Sequence, residues 1–184
     1  MIEQLRLNQT ILSIAQGKTG RDVQALRTAH DLFQKAQFCA QLAKLWSALA
    51  RRPRRLLYLE SVRCAACLRG SHYAGLYAVP IRQIRGSEGR CEDFDSNFMP
   101  LKLHNRGRWA SVATAWLMAT PLPPVELIQV GDVYFVRDGH HRISVARMMG
   151  QDSIDAEVTV WETAGPLPWE RAATVQMALQ PAQG

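Results

Sequence analysis

Apolar positions recur along the chain with two different periods, and the change falls near residue 70. From Asp22 to Leu49 there is no Pro or Gly. Val23, Leu26, Phe33, Leu42, Leu45, Trp46 and Leu49 form a helical stripe, with Ala filling many of the remaining positions. The spacing predicts one long helix, with Asp22 near its positive end. Pro53 ends or kinks it. A second helix is expected from about Arg55 to Arg69, stopping at Gly70. Together they make an αα-hairpin whose elbow is the basic run Arg51, Arg52, Pro53, Arg54, Arg55. Met1–Gly20 has room for a short amphipathic helix.

Beyond Gly70 the period shortens toward two. Tyr77–Ile84 reads as a strand, with Pro80 suited to an edge position. A polar loop is expected over Gly86–Asn97, holding Ser87, Glu88, Arg90, Glu92, Asp93 and Asp95. Trp109, Val112, Ala113, Trp116 and Leu117 make Arg108–Thr120 an amphipathic helix, stopped by Pro121-Leu122-Pro123-Pro124. Val125–Val130 and Val133–Arg137 are strands joined across Gly131-Asp132, a hairpin signal. Asp138-Gly139-His140-His141-Arg142 then opens a helix running to about Met149 and ending at Gly150. Ile154–Trp161 is the last strand. A tail follows from Thr163, with a further short helix expected in it. The organisation expected is a helical region over 1–70, an α+β domain with a small mixed sheet over 71–162, and a tail over 163–184.

Composition narrows the classes. A chain of 184 residues with 47% hydrophobic and 21% charged residues is globular, not disordered. No run approaches the ~18 apolar residues of a membrane span, and the N-terminus lacks the layout of a secretory signal. Four cysteines are too few for a disulfide scaffold, so a cytoplasmic location is expected. The net charge of +6 is unevenly spread. Residues 1–70 carry twelve Lys and Arg against four Asp and Glu, whereas the remainder carries ten against twelve. Arginine dominates, eighteen to four over lysine, and its fork suits phosphate and carboxylate. A phosphate-bearing partner is one explanation; a solvated helical face is the other.

The chemistry concentrates at Asp138–Arg142. A strand running through a glycine into a helix aims backbone N–H groups and the helix dipole at whatever lies above the strand end. Gly139 permits close approach, and Arg142 can fork onto phosphate oxygens. His140 and His141 can donate to phosphate or move a proton near neutral pH. Asp138 can hold Mg²⁺ or orient a hydroxyl. The plainer alternative is a satisfied turn, with Asp138 capping the helix and the histidines bonded locally.

The run Val79-Pro80-Ile81-Arg82-Gln83-Ile84, the loop with Arg90, Leu122-Pro123-Pro124-Val125-Glu126-Leu127, Tyr134-Phe135-Val136 and the Asp138–Arg142 box with Ala146, Arg147 and Gly150 resembles the ParB/sulfiredoxin superfamily. The resemblance covers about residues 77–161. ParB proteins carry a Gly-Glu-Arg-Arg type box there that binds nucleotide phosphates. Sulfiredoxins carry a Gly-Gly-Cys-His-Arg type box that binds ATP and holds the reducing cysteine. Free-serine kinases on this fold also bind nucleotide in the pocket. The resemblance implies a phosphate pocket at Gly139, His140, His141 and Arg142, with Arg90 in a loop that often faces it. His140 stands where sulfiredoxins have the cysteine, so sulfinic-acid reduction is not implied. Only 23 residues follow Trp161, so the helix-turn-helix and dimerisation domains of ParB partition proteins are not expected.

Other residues have weaker claims. Asp93, with Glu92 and Asp95, can bind Mg²⁺ beside substrate phosphates or act as a base; acidic loops are also simply solvated. Glu88 has a similar claim. Cys64 and Cys67 form a lone C-x₂-C, with His72, Cys39 and Cys91 as distant partners for zinc, but two cysteines in an Ala-rich helix pack as small hydrophobes. Arg51, Arg52, Arg54 and Arg55 can contact nucleic-acid phosphates, without the interleaved aromatics of a single-strand platform.

The expectation is a nucleotide-binding protein (ATP, ADP or CTP, with Mg²⁺) performing phosphoryl transfer or NTP hydrolysis. Asp138, His140, His141 and Asp93 are its candidate catalytic residues. Asp138 and Asp93 are its candidate metal ligands. The alternative is a non-enzymatic, nucleotide-switched regulator that binds DNA or a protein, and self-association is a further expectation. Nuclease activity on the same fold lacks a clear metal cluster.

Overall fold

The computed structural model describes residues 20–49, 55–65, 67–165 and 167–169. The expected N-terminal amphipathic helix, Pro53, Arg51, Arg52, Arg54 and the expected tail helix lie outside the described residues, as does the Leu49 side chain. The chain forms two compact units interleaved in sequence. One takes the described part of Met1–Arg54 with Asp93–Pro123 and His141–Gln151; the other takes Arg55–Glu92, Pro124–His140 and the described residues from Asp152 onward.

The first unit is helical. Helix α1 is Gly20–Leu49, close to its expected span. The face it buries is not the one the large apolar residues suggest. Ala29, Phe33, Ala36 and Ala40 are buried, whereas Leu26, Leu42, Leu45 and Trp46 are exposed. Alanines shorten the approach to α3 (Arg106–Leu117), which answers with Ala110 and Ala113 beside Val112 and Trp109. Phe33 meets Trp109 edge-on, ring centroids 5.6 Å apart. Trp109 also donates its indole N–H to Ser144 Oγ at 2.8 Å, so the buried polar edge is satisfied. Trp116, expected on the apolar face, is 36% exposed.

Helix α3 stops three residues before the proline run. Ala119 adopts a left-handed φ of 53°, and Ala119 and Thr120 donate to the carbonyls of Trp116 and Ala115. This is a Schellman closure made without glycine. Helix α4 (His140–Met148) closes the same way, with Gly150 at φ 73° in the favoured role.

The second unit is a six-stranded mixed sheet in the order β1-β3-β5-β4-β6-β2. Its strands are β1 Leu57–Tyr58, β2 Leu68–Pro80, β3 Ile84–Ser87, β4 Val125–Val130, β5 Val133–Asp138 and β6 Ser153–Thr163. The β4–β5 hairpin turns across Gly131-Asp132 as its sequence predicts, with Gly131 at φ 60°. The fold is therefore α+β, with a mixed sheet preceded by an N-terminal helix.

Three local expectations are corrected. The helix expected over Arg55–Arg69 is the seven-residue α2 (Leu59–Ala65), entered from β1 and followed by β2. β2 begins at Leu68, well before Tyr77, because antiparallel pairing with β6 holds a stretch of weak strand formers extended. It ends at Pro80 on the sheet edge, and the 3₁₀ turn Ile81–Gln83 separates it from β3. Finally, Gly86 and Ser87 belong to β3 and are buried. A Cβ at Gly86 would fall 2.1 Å from the Phe135 ring and 2.9 Å from the Leu57 carbonyl, so only glycine fits there.

Candidate functional site

Strands β3 and β5 run parallel, with Ser87 registered beside Val136. Their ends therefore lie on one side of the sheet. β5 ends at the exposed Asp138. Gly139 follows at φ 97°, turning the chain into α4 in a conformation that glycine adopts freely.

His140 opens α4 and meets Ser87. Its Nε2 lies 2.7 Å from Ser87 Oγ, and both side chains are buried. The N–H groups of Gly89 and Arg90 donate to the same oxygen at 3.3 and 3.1 Å. A hydroxyl has two acceptor positions and one proton. The two amides take the acceptor positions, so Ser87 donates its proton to His140 Nε2. A hydroxyl hydrogen-bonded to an imidazole is the pairing that activates a nucleophile or relays a proton. Ser87 was not separable in sequence from its polar neighbours; a separation of 53 positions hides the pair.

Around Ser87 the turn is held by other groups. Arg137 pairs with Glu88 at 3.4 Å, and the Glu88 N–H donates to the Val136 carbonyl. Arg90 is half-buried. Cys91 directs its thiol to the carbonyls of Leu57 and Ser87 at 3.5 and 3.6 Å. Burial pushes that thiol up against the lowering effect of its hydrogen bonds, so it is a poor nucleophile near neutral pH.

His141 and Arg142 have partners of their own. The His141 ring packs edge-on against Phe94, centroids 5.4 Å apart. Arg142 is buried and donates through Nη1 to the Pro123 carbonyl at 2.7 Å. One of its five N–H donors is thus fixed by the loop before β4. Arg147 lies with its guanidinium 5.1 Å from the Phe98 ring centroid and donates to the Ser96 carbonyl at 3.3 Å. Desolvation lowers its pKa, opposed by the charge of Asp95.

The acidic loop is built rather than merely solvated. Asp95 is buried, and its Oδ1 accepts the N–H groups of Asn97 and Met99 at 2.8 Å each. That holds a turn in which Phe98 sits at φ 58°. Asp93 lies 3.1 Å from Lys102 Nζ and 3.7 Å from His104 Nε2. Glu92 is exposed. Among the described residues no three His, Cys, Asp or Glu side chains converge as a metal site, and Cys64, Cys67 and Cys39 are exposed thiols. Of the basic run, Arg55 is described and is exposed.

No protein-family model and no curated protein matches the chain. Among solved structures, sulfiredoxin from Arabidopsis thaliana is 16% identical, over 58% of this chain and 98% of that one, with a TM-score of 0.33. A likeness this distant carries none of that protein's chemistry to this chain.

Proposed function

We propose that this chain is a ParB/sulfiredoxin-like protein that binds the phosphates of a nucleotide at the start of α4 and uses it for phosphoryl transfer or NTP hydrolysis. The observation that carries this reading is the passage from β5 through Gly139, at φ 97°, into a helix whose first three residues are His140, His141 and Arg142. A helix start with positive dipole and basic side chains favours an anion. Arg142 contributes its charge from the position fixed by Pro123, with Arg90 as the proposed second cation. The Ser87–His140 pair is suited to proton movement beside the bound phosphate. Asp138, exposed and next to Gly139, fits a Mg²⁺ ion carried in with nucleotide phosphates, which would neutralise their charge. Asp93, half-buried and 3.1 Å from Lys102 Nζ, is the second carboxylate proposed for that ion.

The test is a thermal-shift series with ATP, ADP, CTP and GTP, each with and without Mg²⁺. A nucleotide at ~100 times its dissociation constant adds about 2.7 kcal/mol of stability. Arg142→Lys keeps the charge but loses the fork and is expected to bind more weakly by about 1.5–3 kcal/mol in titration calorimetry. Absence of a shift with every nucleotide removes the nucleotide reading. Tight binding without phosphate release or transfer, to small hydroxyl acceptors including serine, favours the switch instead. That second reading draws on the excess of basic residues in the first 70.

A further inference from the structure

Helix α1 carries two apolar stripes on opposite sides. At 100° per residue, Ala29, Phe33, Ala36 and Ala40 share one side and are buried. Phe38, Leu42, Leu45 and Trp46 share the other and are 64%, 40%, 68% and 66% exposed. Toward the N-terminus this second side turns polar, with Gln24, Arg27, Asp31 and Lys35. Its flanks at Gln34, Gln41 and Ala43 are uncharged, so the apolar stretch has a defined start and a neutral border.

We propose that this stripe is the contact through which two copies of the chain pair, with their α1 helices antiparallel about a two-fold axis at Leu42. The stripe is its own complement. Phe38 and Trp46 lie four residues to either side of Leu42. An antiparallel pairing therefore sets Phe38 against Trp46 of the partner subunit, Leu42 against its own copy, and Leu45 against Cys39 of the partner subunit. A two-fold interface requires this self-matching. Aromatic and aliphatic anchors without charge are the composition of an interface centre.

The area agrees. At about 150–250 Å² for a large aromatic side chain, the four residues expose on the order of 450 Å² on one face. That lies within the ~300–600 Å² of a typical largest surface patch, which is often functional. Two copies bury about 900 Å² from these side chains alone, and the glutamine and alanine flanks bring the total toward the ~1,200 Å² at which specific interfaces begin.

The experiment is sedimentation equilibrium on the full chain from about 1 to about 100 µM, the affinity range expected of a small interface. Wild type is expected to dimerise. Leu42→Glu and Trp46→Glu are each expected to weaken the dimer at least ~100-fold with unchanged circular dichroism, because a charge is buried in the contact while the folded monomer keeps these positions exposed. A Leu42→Cys chain, with Cys39, Cys64 and Cys67 changed to serine, is expected to form a disulfide-linked dimer on oxidation. A wild type that stays monomeric throughout overturns the proposal. So does a dimer that both glutamate variants leave intact.

Discussion

Ser87 and His140 show how much of a site can rest on one buried contact. Neither residue is unusual in its local sequence, and a period-based reading leaves Ser87 in a polar loop. Its burial follows from Gly86, which lets β3 pass against Phe135, and from the parallel register with β5. Once buried, its hydroxyl is fully committed, accepting from Gly89 and Arg90 and donating to His140. Ser87→Ala removes the hydrogen bond to the buried His140 ring together with the acceptor of the Gly89 and Arg90 N–H groups. Unmade hydrogen bonds of buried groups cost about 1–3 kcal/mol, so urea unfolding is expected to show a loss within that range. A loss below ~1 kcal/mol means the hydroxyl is not the partner that fixes the His140 ring. Arg142 was legible as a basic side chain at a helix start. That Pro123, 19 residues upstream, receives one of its donors was not legible, because loop carbonyls carry no sequence signal.

At the scale of elements, legibility followed local chemistry. The β4–β5 hairpin and α4 were readable because turn and cap residues, Gly131-Asp132 and Gly150, mark them directly. β2 was half missed because Gly70, Ser71, His72 and Gly75 have little strand preference; their β6 partners, such as Glu162 for Gly70 and Val158 for Gly75, impose the extended conformation from far along the chain. Helix α1 was placed correctly but its buried face was misassigned. Side-chain size points to the side of Leu42 and Trp46, whereas packing against α3 selects for closeness and leaves the alanines inside. Among the described residues of α1, Phe33 is the largest buried side chain, wedged against Trp109. Phe33→Ala is expected to cost about 3–5 kcal/mol in chemical denaturation, the range for emptying a buried aromatic site. Leu45→Ala on the exposed face of the same helix is expected to change monomer stability by less than ~0.5 kcal/mol. Equal losses at the two positions contradict the assignment of faces.

Over the whole molecule, the most asymmetric property is charge, and it was fully visible in sequence. The first 70 residues hold twelve basic and four acidic side chains, with four arginines gathered at 51, 52, 54 and 55. Arg55 stands exposed ahead of β1; the other three lie outside the described residues. Two explanations compete, a solvated basic turn and a contact to nucleic-acid backbone, and they differ in salt dependence. Counterion release gives a slope of log affinity against log salt of about −0.9 per duplex phosphate neutralised. Four engaged arginines therefore predict a slope near −3.6 for duplex DNA, on the same relation. Changing Arg51, Arg52, Arg54 and Arg55 to Gln is expected to flatten that slope toward zero while leaving nucleotide-induced thermal shifts intact. Filter retention or anisotropy measured across a salt series reads the slope, and a melting curve with nucleotide reads the shift. A wild-type chain that retains no duplex or single-stranded DNA at low salt assigns the run to solvent, and then the start of α4 is the one phosphate site still proposed.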